Sequence, residues 1–252
     1  MEKTITIFTD GSSRGNPGPG GFAAIITTPE GKVVELGGRE EKTTNNRMEL
    51  SAALATLRYI EERGLSGDIR IYTDSAYLLN GITGWVYAWE KNGWKTKTGE
   101  PVLNQDIWQE LSGIVFRQKL IRSIEWIKVE GHAGLRGNER ADEIATTFAD
   151  QKNMALFSGA KEKYEKLLGG SLFDKNPAKE EKKKLSRPKG KAYSYVSMIG
   201  GMIATHKTWQ ECERRVKGKS GAKFKKALSP QEEKQIISEW TNPKKDDGHR
   251  TI

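Results

Sequence analysis

Four acidic residues stand where this chain could do chemistry. Asp10 follows a run of β-branched and aromatic residues, Thr4–Thr9, and Asp74 follows a second such run, Asp68–Thr73. Both runs read as strands. An acidic residue just past a strand's end is exposed at the sheet edge where α/β proteins place their sites. Glu49 falls in the first turns of a helix and Asp142 in a later one. Taken singly, each also reads as a solvated turn or a helix cap. Brought together, four carboxylates repel one another unless cations sit among them, and clustered oxygens select hard ions such as Mg²⁺ or Mn²⁺. Spacing alone does not show that they converge.

The elements that must position them follow from hydrophobic period. Thr4–Thr9, Gly21–Thr28 and Lys32–Arg39 predict three strands of an antiparallel meander. Between the first two, Ser12–Gly21 (SSRGNPGPGG) reads as a turn-rich loop that cannot continue a strand. In Thr44–Arg63 the period changes. Leu50, Leu54 and Leu57 fall at i, i+4 and i+7, a helix with a buried stripe that Thr43 or Thr44 can cap. A strand over Asp68–Thr73, a short helix at Ser75–Asn80, a helix over Asn104–Arg117, a strand over Ile121–Val129 and a helix over Gly137–Ala149 complete the pattern. Its order predicts a mixed sheet with helices on its faces.

The chain has 252 residues, 35% hydrophobic and 30% charged, enough for one large domain or two small ones. It has no apolar run of about 18 residues to cross a membrane and no signal-peptide core at its start. Its single cysteine, Cys212, excludes an internal disulfide framework and a Cys-rich zinc site, so a cytoplasmic, reducing compartment is the expectation. The net charge of +9 is uneven: residues 1–150 carry −3 and residues 151–252 carry +12. A basic appendage points either to a polyanion, most often nucleic acid, or to a solvated Lys-rich tail. The expected organisation is a domain over 1–152, a basic linker over 153–191, a small domain over 192–241 and a tail over 242–252. The linker holds the charge-rich AKEEKKKLSRPKGKA and, before it, room for a short helix in SGAKEKYEKLLGG. The small domain reads as a hairpin turning near Gly200 and Gly201. Two helices follow, one capped by Thr205 or Thr208, the other by Ser229 with Pro230 and Glu232.

Four motifs in order carry a resemblance: FTDGSSRGNPGPGG (Phe8–Gly21), TTNNRMEL (Thr43–Leu50), YTDSAYLLNGI (Tyr72–Ile82) and GHAGLRGNERADEIA (Gly131–Ala145). Over almost all of its first 150 residues the chain resembles the bacterial type 1 ribonucleases H. The resemblance implies an α/β fold with a mixed five-stranded sheet. It also implies an endonuclease that hydrolyses the RNA strand of RNA–DNA hybrids. Asp10, Glu49, Asp74 and Asp142 are implied to hold two Mg²⁺ ions, with Mn²⁺ as a substitute, and Asp10 to bridge them. His132, in a Gly-flanked segment, is implied to assist catalysis, as a proton shuttle or in product and metal release. No Ser-His or Cys-His nucleophile arrangement competes. Asn16 and Asn45 are implied to touch the hybrid's minor groove and Thr44 a DNA-strand phosphate. The logic holds physically, because an Asn side chain can both donate to and accept from a 2′-hydroxyl.

Two departures weaken this unit's expected grip. Ala76 stands where the family has Gln. In Gly84–Lys97, the counterpart of a basic protrusion, only Lys91, Lys95 and Lys97 are basic. Trp85 and Trp89 are expected in the core, and Trp94 with Lys95 against a sugar-phosphate backbone. Beyond the linker, Tyr193–Ala227 is similar to the hybrid-binding domain of eukaryotic ribonuclease H and caulimovirus proteins. The match rests on TWQEC (Thr208–Cys212), Val216, SGAKFKKA (Ser220–Ala227) and Tyr195. The module is C-terminal here, and SMIGG replaces a hairpin usually rich in Arg and Lys. It implies Tyr195, Trp209, Lys225 and Lys226 as hybrid contacts, with Phe224 in the small core. The expected partner is thus an RNA–DNA hybrid bound by a monomer, without membrane or small-molecule cofactor. The competing readings are a catalytically inactive hybrid-binding scaffold and a DNA-acting integrase or resolvase of the same fold. The intact carboxylates oppose the first and the motif series fits the second poorly.

Overall fold

The structure is a computed structural model that describes residues 3–131, 134–176, 192–219 and 221–241. The chain divides into two compact units, Met1–Glu180 and Glu181–Ile252. In the first, β1 (Thr4–Ser13), β2 (Gly18–Thr27) and β3 (Lys32–Thr43) form the antiparallel meander. β4 (Asp68–Thr73) adds in parallel to the free edge of β1, and β5 (Ile124–Lys128) in parallel to β4. A sixth strand, β6 (Ser158–Ala160), pairs antiparallel with β3, so the expected five-stranded sheet has six, in the order β5-β4-β1-β2-β3-β6. The helices are α1 (Asn45–Glu62), α2 (Ala76–Asn80), α3 (Val86–Lys91), α4 (Gln105–Lys119), α5 (Arg136–Ala149) and α6 (Lys161–Leu168), with a π-helical turn, Gly81–Trp85, joining α2 to α3.

β1 runs through the middle of the sheet and is covered on both faces, so successive residues from Ile7 to Gly11 are all buried. Ile5 and Ile7 join Leu50, Leu54 and Leu57 of α1 on one face. On the other face Phe8 joins Ile25 of β2 and Ala141, Ile144 and Ala145 of α5. At about 1.5–3 kcal/mol for each fully buried aliphatic side chain, these two apolar faces hold the sheet edge that carries the acidic residues.

Two expectations about loops are corrected. The Gly-rich stretch does continue a strand: β1 and β2 pair as far as Ser13↔Gly20, leaving only Arg14–Pro17 as the turn. The glycines permit this because the strands run close beneath their neighbours. A Cβ at Gly20 would meet the Thr43 side chain, and one at Gly21 the α5 backbone. Residues 153–176, expected as the start of the linker, instead pack onto the sheet as β6, α6 and an ordered turn. Their apolar side chains follow no regular period, but Phe157, Tyr164, Leu168 and Leu172 complete the cluster around Phe8. The Tyr164 hydroxyl donates to Glu35 Oε1 at 2.6 Å. α6 then stops at Gly169 (φ +71°), where the N–H of Gly170 donates to the Glu165 carbonyl and that of Gly169 to the Lys166 carbonyl. The linker from residue 177 to 191 and the tail over 242–252 lie outside the described residues.

In the second unit, β7 (Ser194–Ile199), β8 (Met202–His206) and β9 (Lys223–Ala227) form an antiparallel sheet in the order β8-β7-β9, with α7 (Trp209–Val216) and α8 (Pro230–Thr241). Gly200 and Gly201, both at positive φ, make the two-residue turn. Alternation places Val196 and Ala227 against Ile236 of α8, with Ile203, Ile237 and Trp240 around them. Thr208 and Glu211 cap α7 reciprocally. β9 carried no strand expectation, because three lysines in five residues mask its period.

Candidate active site

The acidic edge is built by register. Phe8 lies opposite Tyr72 across the parallel β1–β4 pair, so two residues further along each strand Asp10 and Asp74 emerge at the same end. Glu49 reaches them from the second turn of α1, which Thr44 starts by accepting the Arg47 N–H at 3.3 Å. Gly11 is what lets the helix come so close. A Cβ there would lie 2.6 Å from the Met48 carbonyl carbon and closer still to the Glu49 nitrogen.

The result is a triad of Asp10, Glu49 and Asp74 that offers one oxygen each, all within 4.8 Å of one another. Burial pushes the Asp10 carboxyl up to about 8, helped by the charges of Asp74 and Asp142 and opposed by the Gly11 N–H that donates to it at 2.7 Å. Burial also raises Glu49 well above the usual carboxylate range, with Asp10 and Asp74 adding to the effect. Asn45 Nδ2 donates to Glu49 Oε1 at 3.3 Å, while the buried Glu49 Oε2 has no hydrogen-bond partner among the described residues. A buried oxygen without a donor, beside two further carboxylates, fits a hard divalent cation. Asp142, on α5, stands outside this triad. Its Oδ1 accepts from Thr146 Oγ1 at 3.4 Å. The structure therefore brings three of the four expected carboxylates together and sets the fourth near enough to act on Asp10. His132 lies outside the described residues.

Among the expected substrate contacts, Asn16 and Asn45 are exposed and Thr44 is half-buried as the α1 cap. The tryptophan expectations are partly reversed. Trp94 is half-buried, with its ring 6.4 Å from Trp89 and packed on the core, because the backbone turns it inward at φ +60°. Trp89 packs there as expected, but Trp85 is 39% exposed. Lys95 is exposed.

The second unit presents an aromatic row that sequence reading described only in part. Tyr195 and Trp209 have ring centroids 5.6 Å apart, and Trp209 and Phe224 5.1 Å. Phe224, expected in the core, is 54% exposed. Alternation along β9 decides its place and that of the lysines. Phe224 and Lys226 share the face of Tyr195, whereas Lys225 lies opposite Val196 on the α8 face, 3.7 Å from Glu239. The alternating FKK in KFKKA was the available signal, once the segment is known to be a strand. Beneath the row, Arg215 donates to Ser197 Oγ at 2.7 Å and to the Met202 carbonyl at 3.0 Å.

With this geometry in hand, comparison with known proteins gives the family. The RNase H family model matches residues 2–150. The ribonuclease H of Cyanothece sp. is 48% identical over 143 residues, 57% of this chain and 87% of that protein. That of Dechloromonas aromatica is 50% identical over 145 residues, 57% of this chain and 92% of that protein. Among solved structures, LC9-RNase H1, a type 1 RNase H with the type 2 active-site motif, superposes with a TM-score of 0.55 at 31% identity, covering 66% of this chain and 82% of that one. The fold and the site define an RNase H-like α/β protein. The chain belongs to the RNase H family, and its enzyme class is ribonuclease H.

Proposed function

We propose that this protein is a divalent-metal-dependent endonuclease that hydrolyses the RNA strand of RNA–DNA hybrids. The observation that carries the reading is the triad of Asp10, Glu49 and Asp74 at one sheet edge, with a buried oxygen of Glu49 that has no donor among the described residues. Asp10, Glu49 and Asp74, joined by Asp142, would hold two Mg²⁺ ions, or Mn²⁺ in their place. Such ions, when bound, supply Lewis acidity at the scissile phosphate and a nucleophilic water at neutral pH. The reaction forms a bond from a water oxygen to phosphorus and breaks the bond from phosphorus to the leaving 3′-oxygen.

The chain's own residues supply position. Asn45 is tied to Glu49, so the residue assigned to the minor groove and the acidic triad share one hydrogen bond. Asn16 and Thr44 would complete the grip on the two strands, and Lys95 would add charge. His132 is assigned an assisting role on the sequence resemblance. The second unit would raise affinity as a hybrid-binding module, with Tyr195 and Trp209 stacking on sugars or bases and Lys226 on a phosphate. Phe224 extends that face and Lys225 is removed from it. The domain division this implies is a nuclease unit reaching to about residue 176 and a separate C-terminal module.

The test is a cleavage assay on end-labelled hybrid, RNA duplex and DNA duplex, each with Mg²⁺, Mn²⁺ or EDTA. Cleavage confined to the RNA of the hybrid and abolished by EDTA is the expected result. Metal-independent cleavage, or equal cutting of DNA duplex, overturns the reading.

A further inference from the structure

The segment that follows α6 does more than fill a surface. α5 begins without a side-chain cap, since its N-cap position is Leu135. The first backbone N–H groups of any helix lack partners within the helix. Here they find them in a distant segment: Arg136 N–H donates to the Asp174 carbonyl at 3.0 Å, and Gly137 N–H to the Leu172 carbonyl at 2.9 Å. Leu135 pairs with Lys175 in a short antiparallel bridge. Asn176 N–H donates to the Gly134 carbonyl at 2.8 Å, and its side chain to Glu139 Oε2 at 2.9 Å. The Arg136 guanidinium donates to the Leu168 carbonyl.

The segment is itself anchored. Leu172 is buried, and Phe173 sets its ring 5.4 Å from Phe8 and 5.3 Å from Tyr72, the residues that precede Asp10 and Asp74 by two. Ser171 and Asp174 close the turn between them, with Ser171 N–H donating to Asp174 Oδ2 at 2.7 Å and Asp174 N–H to the Ser171 carbonyl at 3.0 Å. α5 also meets Phe8 directly, because a Cβ at Gly137 would lie 2.6 Å from that ring.

We propose that residues 171–176 form a strap that caps α5 with main-chain carbonyls and fixes the axial position of the helix, and so of Asp142, relative to Asp10 and Asp74. Phe173 and Asp174 are positioning residues. They touch neither substrate nor metal and act through the strap. The strap thereby belongs to the catalytic unit, and loosening it affects turnover more than substrate binding. The kinetic part of this inference rests on the nuclease reading above; the structural part does not.

The experiment uses the full-length chain carrying Phe173→Ala with Asp174→Ala, beside a conservative pair, Phe173→Leu with Asp174→Asn. Asn keeps an oxygen for the Ser171 N–H, and Leu keeps apolar cover over Phe8. Two quantities are measured: hydrogen exchange of the peptide spanning residues 134–140, and kcat and KM on a long hybrid with Mg²⁺. The Ala pair is expected to speed exchange of that peptide by about tenfold. It lowers kcat about five- to tenfold, since small displacements of reacting groups cost rate steeply, while KM stays within about twofold. The conservative pair restores most of both. Unchanged exchange overturns the strap. Faster exchange with kcat unchanged, or a loss confined to KM, overturns its positioning role. Wild-type cleavage in the same preparation separates either result from a failure of the nuclease reading.

Discussion

Arg140→Met tests whether a buried ion pair, and not apolar contact alone, joins α5 to β3 at the point where the β6–α6 segment docks. Glu35 has a fully buried side chain in β3. Arg140, 15% exposed, donates to both of its oxygens at 2.7 and 3.1 Å. Tyr164 and the Phe157 N–H donate to them as well. Burial alone would raise the Glu35 carboxyl, but the hydrogen bonds of Arg140, Tyr164 and Phe157 outweigh it and hold it below its ordinary value. Removing one partner of such a pair leaves a buried charge, typically at a cost of about 3–5 kcal/mol. Two neutral donors remain on Glu35, so we expect the lower end, about 3 kcal/mol. At about 2–4 °C per kcal/mol for a unit of this size, the first unit should melt roughly 6–12 °C lower. Urea unfolding of the full chain, followed by tryptophan fluorescence, reads this mainly from the first unit. That unit holds Trp85, Trp89, Trp94, Trp108 and Trp126 of the seven tryptophans.

The pH dependence sharpens the test. A carboxyl held below its unfolded value adds stability that is present above about 4.5 and lost as the pH falls through its folded value. In Arg140→Met burial dominates, the carboxyl moves up, and the sign reverses: the variant gains stability toward acid while the wild type does not. The gap between them should narrow from pH 7 to pH 4.5. Glu35→Gln combined with Arg140→Met should recover about half of the loss, because no buried charge is then left. A loss under about 1 kcal/mol, or a gap independent of pH, would refute the reasoning.

Asp10→Asn should abolish hybrid cleavage, and by removing repulsion from the triad it should leave the metal-free melting temperature equal or higher; a calorimetric scan in EDTA beside a cleavage assay checks both. Trp209→Ala should weaken hybrid binding about tenfold, in line with about 1–3 kcal/mol per stacked base, whereas Lys225→Ala should change it less than twofold; fluorescence anisotropy on labelled hybrid decides. Cutting the chain after residue 176 should raise KM on long hybrids and flatten the salt slope of binding with kcat preserved. Cutting it near Ser158 should lower kcat and stability too, a split that steady-state kinetics at two salt concentrations reveals.

The sequence determined by itself whatever local pattern or chemistry dictates. The β-branched runs before Asp10 and Asp74, the Leu50–Leu54–Leu57 stripe and the four motifs are each short-range signals, and they were enough to name the acidic residues and the mixed α/β sheet. Tertiary structure decided what depends on partners distant in the chain. The strand β6 and the strap have too few apolar residues to announce themselves; they are ordered because Phe157, Tyr164 and Leu172 find a cluster already built around Phe8. Gly11 reads as one more loop glycine until α1 is seen pressed against it. Lys225 and Lys226 are neighbours of equal charge, and only the pleat of β9 sends one to Glu239 and the other to the face of Tyr195. The same holds for Asp142, whose standing apart from the triad is set by how α5 is held, a property of its contacts with the sheet and the strap and not of the residues around it in the chain.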